Sequence, residues 1–276
     1  MLSDTDTSVL AVCALAALGL ALAVWGWRSH RRTKYTLLQS ALYVYARIMV
    51  RVAWRAEISG PLPVPDGQGA VVICNHSSGI DPGFIALATN RAVHWLTARE
   101  FYEMPVIHWF CKSMGAIPVN RGGIDTASTK LAIRYAQAGE LVGLFPEGRI
   151  NETGRLLLPG RPGAALIALK ARVPVIPCYL RGAPFGKTVI SPLFMAAHAK
   201  LIVGKPIDLT EYYERAGEDG ILGEMTKRFL VEIARLAGVE NYEAELAGRR
   251  WKPGTEPAAP VELSPAVSAR QPPAAI

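Results

Sequence analysis

The run Ala70-Val71-Val72-Ile73-Cys74 is short, apolar and β-branched, and a Gly-containing turn at Asp66–Gly69 precedes it. Such a run suits an interior strand. It opens into Asn75-His76-Ser77-Ser78-Gly79-Ile80-Asp81-Pro82, where Asp at the N-cap with Pro at N1 is a helix-start signature. An imidazole is thereby delivered to a tight loop between a strand and a helix, where α/β folds carry binding and catalytic groups. The same grammar repeats. Val93–Thr97, Ala116–Val119, Leu141–Phe145, Val173–Leu180 and Lys200–Val203 read as strands, after a short one at Glu57–Ile58. Helices fall at Pro82–Thr89, Met104–Met114, from Asp125 or Thr126 to Ala138, at Ala164–Ala171 and at Ile221–Ala237. This alternation predicts an α/β class: a single domain with a largely buried sheet flanked by helices, its motif loops gathered at one edge.

Two readings of the first loop stand open. In one, Asp81 merely caps the helix and His76 bonds a nearby backbone group. In the other, the loop folds back so that the carboxylate meets the imidazole, fixes its tautomer and makes the other ring nitrogen a general base. A carboxylate has two oxygens, so both can hold at once.

Other stretches bear on chemistry. Asn120-Arg121-Gly122-Gly123 follows a strand, and a guanidinium fork with glycines behind it suits phosphate; an arginine on an exposed turn is the plainer reading. Phe145-Pro146-Glu147-Gly148-Arg149 also closes a strand, and there a surface Glu147 paired to Arg149 is the plainer reading. His94 and His108 read as packing residues. Gly182–Thr188 imitates a phosphate loop but has one residue too few between its glycines, and no apolar helix follows. No G-x-S-x-G elbow supports Ser77 or Ser78 as a nucleophile, and no H-E-x-x-H or clustered ligands point to a metal.

Four blocks in order resemble the glycerolipid acyltransferases, the family of 1-acylglycerol-3-phosphate acyltransferases. They are Asn75-His76 with Asp81, then 115–121 (GAIPVNR), then Phe145–Gly148, then 173–177 (VPVIP), within a resemblance running from Ile48 to Leu209. The resemblance implies transfer of a fatty acyl group from acyl-CoA or acyl-ACP, as co-substrate, to the hydroxyl of a lysophospholipid, with no further cofactor and no metal. His76 and Asp81 would be catalytic. Arg121, Glu147, Gly148 and Arg149 would bind substrate: Arg121 the acceptor phosphate, and Glu147 an acceptor hydroxyl or the order of its own loop. The chain departs from the family in one place, because Arg149 stands one position earlier than the usual arginine. Two alternatives remain: an acyltransferase for another lysolipid, or a membrane lipid hydrolase using the same pair.

The N-terminus adds a membrane expectation. Val9 to Trp27 carries no charge, and about nineteen helical residues extend ~28 Å, close to the ~30 Å hydrocarbon thickness. Asp4 and Asp6 argue against a signal peptide. Arg28, Arg31, Arg32 and Lys34 follow at once and place the remainder on the cytoplasmic side. The organisation expected is a transmembrane anchor over 1–34, an amphipathic interfacial helix over 35–56, an acyltransferase domain over 57–250 and a disordered Pro- and Ala-rich tail over 251–276. In the second segment Arg47, Arg51 and Arg55 would meet anionic headgroups; a helix packed on the core is the competing reading. A net charge of +7 fits an anionic surface, and no zinc-finger or RNA-binding motif favours nucleic acid. Cys13, Cys74, Cys111 and Cys178 are scattered without a C-x-x-C pair and read as reduced thiols. The expected partners are therefore a membrane, its lipid acceptor and an acyl donor, for a single-pass or monotopic protein.

Overall fold

The computed structural model describes residues 4–31, 36–120, 125–186 and 191–248. Helix α1 (Asp4–Arg31) and helix α2 (Leu37–Val52) come first. Then follow β1 (Glu57–Ile58), β2 (Ala70–Cys74), α3 (Asp81–Ile85), β3 (Val93–Ala98), α4 (Arg99–Tyr102), α5 (Pro105–Ser113) and β4 (Ile117–Val119). The remainder is α6 (Thr126–Gln137), β5 (Leu141–Leu144), α7 (Gly163–Ala171), β6 (Val175–Arg181), β7 (Lys200–Val203), α8 (Thr210–Glu214) and α9 (Ile221–Leu236).

The strands form one seven-stranded sheet in the order β1-β7-β6-β2-β5-β3-β4, parallel throughout except for the antiparallel pair β6–β7. Every residue of β2 is buried, and its two faces feed two cores. Val71 and Ile73 join the core built with α6, α7 and α9; Ala70, Val72 and Cys74 join the one built with α2 and α3. That period-two split between two buried faces explains why the strand reads as an unbroken apolar run. Each fully buried Val or Ile contributes about 1.5–3 kcal/mol of transfer free energy. On the far layer, α9 brings Met225, Phe229 and Ile233 inward at helical spacing, all fully buried.

The chain leaves β2 toward the β3–β4 edge and leaves β5 in the opposite direction, toward β6. Their following helices consequently cover opposite faces, and the loops after β2 and β5 lie side by side at the C-terminal strand ends.

Several expectations shift. The helix expected to Thr89 stops at Ile85 and tightens into a 3₁₀ turn over Ala86–Ala88. Strand β6 starts at Val175 and runs on to Arg181. Helices α4 and α8 had no expectation, being too short to show a period. The second segment is helical only over Leu37–Val52, opened by a capping box between Thr36 and Gln39. It does not align three arginines: Arg47 turns onto Tyr43, donating to its hydroxyl at 2.9 Å, and Arg55 lies beyond the helix end with φ 40°. The helix buries Tyr43 and Val50 against the domain, while Leu37, Tyr45, Ile48 and Val52 stay exposed on its other side.

Helix α1 is 28 residues long, but its uncharged run includes positions whose side chains are not described. Among the described residues no helix is long and apolar enough to cross a membrane. Arg121 and the tail over 251–276 lie outside the described residues.

Candidate active site

The first loop folds back on itself. Asp81 is not the cap: Ile80 holds that position, Asp81 opens α3, and no side chain caps its N-terminus. The carboxylate turns inward instead and is fully buried. Its Oδ2 accepts the main-chain N–H of Ser77 at 2.7 Å and of Ser78 at 2.8 Å, and lies 3.0 Å from His76 Nδ1. Oδ1 accepts the Ser77 hydroxyl at 3.3 Å. Two N–H groups already donate to Oδ2, so this oxygen acts as acceptor and Nδ1 carries the proton. The lone pair is then on Nε2, the nitrogen suited to a general base.

Neighbouring strand ends hold this loop in place. The Asn75 amide spans to β6, donating to the Leu180 carbonyl at 2.8 Å and accepting the Leu180 N–H at 2.7 Å. Ser78 Oγ donates to the Pro184 carbonyl at 2.6 Å, beyond the end of β6. From the β5 side, Glu147 Oε1 accepts the His76 N–H at 2.8 Å and Oε2 accepts the Leu158 N–H at 2.9 Å. Asn151 N–H donates to the His76 carbonyl at 2.7 Å. Glu147 is thus neither a surface carboxylate nor an exposed ligand. It is fully buried, with each oxygen committed to a backbone donor, the loop-ordering role of the two expected for it. Burial pushes its carboxyl up to about 8, against the pull of the two N–H bonds; Asp81 raises it further and Arg149 lowers it.

Gly148 follows in a left-handed turn at φ +72°, and a Cβ there would meet the Arg161 side chain at 2.8 Å. A bulkier residue would spoil the turn that returns the chain under Glu147. Arg149 is half-buried beside it. The structure therefore brings His76, Asp81, Glu147, Gly148 and Arg149 to adjoining strand ends. His94 sits elsewhere, its Nδ1 2.8 Å from the Gly115 carbonyl and its ring stacked on Tyr135. His108 is exposed, its ring edge-on to Tyr102 and its Nδ1 3.2 Å from the Tyr102 carbonyl.

Competing chemistry finds little support in these groups. Burial raises the thiol of Cys178 to about 12 and that of Cys74 well above its usual range, so neither is a nucleophile. Ser77 Oγ donates to Asp81 Oδ1 rather than to the His76 imidazole. Among the described residues no cluster is suited to a metal.

The backbone donors of Ser77, Ser78, Asn151 and Leu158 had no legible signal in the sequence, since any residue supplies an N–H. Nor was the surface under the imidazole legible. The His76 ring lies flat on Phe145, centroids 3.8 Å apart and planes within 4°.

An open α/β sheet thus carries an imidazole–carboxylate pair at the end of a central strand, an arrangement chemically able to act as a general base. The chain belongs to the acyltransferase family and is an acyltransferase: residues 55–181 match the family's model, described as Acyltransferase. It is 31% identical over 153 residues to the 1-acyl-sn-glycerol-3-phosphate acyltransferase of Bacillus subtilis, covering 54% of this chain and 72% of that protein. It is 29% identical over 172 residues to the chloroplastic 1-acyl-sn-glycerol-3-phosphate acyltransferase BAT2 of Brassica napus, covering 59% of this chain and 48% of that one. Its fold resembles the crystal structure of the 1-acyl-sn-glycerophosphate acyltransferase PlsC from Thermotoga maritima. The TM-score is 0.58 at 17% identity, over 83% of this chain and 90% of the other.

Proposed function

We propose that this enzyme transfers a fatty acyl group from acyl-CoA or acyl carrier protein to the free hydroxyl of 1-acylglycerol-3-phosphate, giving phosphatidic acid. The observation that carries the reading is the His76 Nδ1 contact to a fully buried Asp81, which leaves Nε2 as the base. Nε2 takes the acceptor's hydroxyl proton as that oxygen attacks the thioester carbonyl. The tetrahedral adduct collapses with breakage of the C–S bond, and the imidazolium returns the proton to the departing thiolate. General-base assistance of this kind contributes about 10²–10⁴-fold. Asp81 supports it by balancing the charge that appears on the ring. The acceptor is the one carried in the names of the Bacillus and Brassica relatives.

A membrane location supports such a substrate. We assign α1 as the anchor, on the strength of its uncharged run from Val9 to Trp27 followed by Arg28, Arg31, Arg32 and Lys34. The exposed apolar side of α2 lies in the bilayer interface, and the catalytic domain faces the cytoplasm.

The test uses purified full-length protein in detergent, lysophosphatidate, and either labelled acyl-CoA or labelled acyl carrier protein. Label is expected in phosphatidic acid, and loss of that product by several orders of magnitude in a folded His76→Ala variant. Label released as free fatty acid while the acceptor goes unused would overturn the reading in favour of hydrolysis.

A further inference from the structure

His76 is held by its edge through Asp81 and by its face through a column of rings. Phe145, the last residue before the Pro146-Glu147 turn, stacks on the imidazole at 3.8 Å, and Trp95 stacks on the other side of Phe145 at 4.8 Å and 18°. Trp95 comes from β3, in register with Gly143 of β5. A Cβ at Gly143 would fall 2.7–2.8 Å from three indole carbons, so the close approach of indole to strand depends on glycine there. Trp95 is buried in the core shared with α2 and α3, and Phe145 packs against that same core.

Asp81 and Phe145 constrain different motions. One hydrogen bond at Nδ1 sets the tautomer and the in-plane direction of the ring, but it leaves rotation about that bond soft, because terminal histidine torsions are broad. A flat aromatic contact opposes that rotation, and offset stacking adds a modest attraction. Phe145 cannot serve as a stop unless it is itself backed, and Trp95 backs it.

The geometry points to Phe145 and Trp95 as positioning residues that hold the plane of the His76 imidazole so that Nε2 faces the acceptor hydroxyl. This rests on the acyl-transfer reading above only for its kinetic arm. Phe145→Leu keeps most of the volume and removes the flat face. It is expected to lower kcat about 10–100-fold with both KM values within twofold, the scale on which small misplacements act. Phe145→Tyr restores kcat to within threefold. Trp95→Leu lowers kcat about 3–10-fold, and Trp95→Phe restores it. A readout independent of any substrate accompanies these: the upfield ring-current shift of the His76 ring protons, measured in detergent with histidine-labelled protein. That shift is lost in Phe145→Leu and kept in Phe145→Tyr.

An unchanged kcat in Phe145→Leu, with the shift lost, would overturn the positioning role. An unchanged shift would overturn the stack itself, whatever reaction His76 serves. Should Phe145→Leu fail to fold, the Trp95 pair decides by the same two measurements. If wild-type protein makes no phosphatidic acid, the acyl-acceptor assignment fails, while the spectrum still rules on the column.

Discussion

Asp81→Asn separates the charge of the carboxylate from its shape. With the amide oxygen in the place of Oδ2, asparagine still accepts the Ser77 and Ser78 N–H groups and the His76 Nδ1 proton, and its NH₂ faces the Ser77 hydroxyl, which can accept. What disappears is the anion beside the imidazolium formed during reaction. Two unit charges 3.0 Å apart interact by about 5 kcal/mol at an effective permittivity of ~20. The amide dipole and relief of carboxylate desolvation return part of this, leaving a net loss of about 3–4 kcal/mol. At 1.36 kcal/mol per tenfold, kcat should fall about 10²–10³-fold. The fold should suffer far less, because each donor keeps an acceptor: about 1–2 kcal/mol, from exchanging charge-assisted bonds for neutral ones. Alanine would be a poorer probe, since it orphans two buried N–H groups at about 1–3 kcal/mol each and confuses chemistry with unfolding. Initial rates at saturating donor and acceptor, beside a urea titration of each protein, make the comparison. A variant retaining kcat within threefold of wild type would show that the buried charge is not used.

Glu147 sets a pH dependence of stability. Its folded carboxyl titrates near 8 against an ordinary 4.5, so between those values the native state binds more protons than the unfolded one. Stability from this group is therefore fully present below pH 4.5, falls as the pH rises, and levels off above 8. Glu147→Gln should remove that slope in urea titrations at pH 5, 6.5, 8 and 9, at a cost of about 1–3 kcal/mol at pH 5 for the N–H left facing the amide NH₂; an unaltered slope would assign it elsewhere. Arg121, outside the described residues, is expected to grip the acceptor phosphate, so that Arg121→Ala raises the acceptor KM about 10–150-fold and Arg121→Lys recovers part. A defect confined to the thioester donor would contradict it. Removal of residues 1–34 should leave a membrane-bound fraction in low salt, released when Arg51 and Arg55 are also neutralised; complete release by truncation alone would show that α2 makes no interfacial contact.

Much of the site's address was written locally. The β-branched run Ala70–Cys74 had to be an interior strand, and His76 had to stand on the loop that leaves it, because period and punctuation are properties of neighbouring residues. The same local rules located β5 and the turn that carries Glu147, the Asp125 start of α6, and the uncharged run of α1. They left two readings open at Asp81, and the structure takes the one in which the loop folds back: the carboxylate is a buried acceptor of loop N–H groups and the imidazole, while Ile80 holds the cap position. They erred along α2, where spacing aligned three arginines, but Arg47 turns back onto Tyr43 one helical turn earlier and Arg55 lies beyond the helix end. Glu147 and His76 are 71 residues apart in the chain and meet only because β5 pairs with β2. Trp95 reaches Phe145 only because β3 pairs with β5 and Gly143 leaves room for an indole. Helix and strand follow from short-range sterics and hydrophobic period, which the sequence alone determines. The burial of Asp81 and Glu147 and the plane of the imidazole depend on which strands lie side by side, and only the tertiary structure decides that.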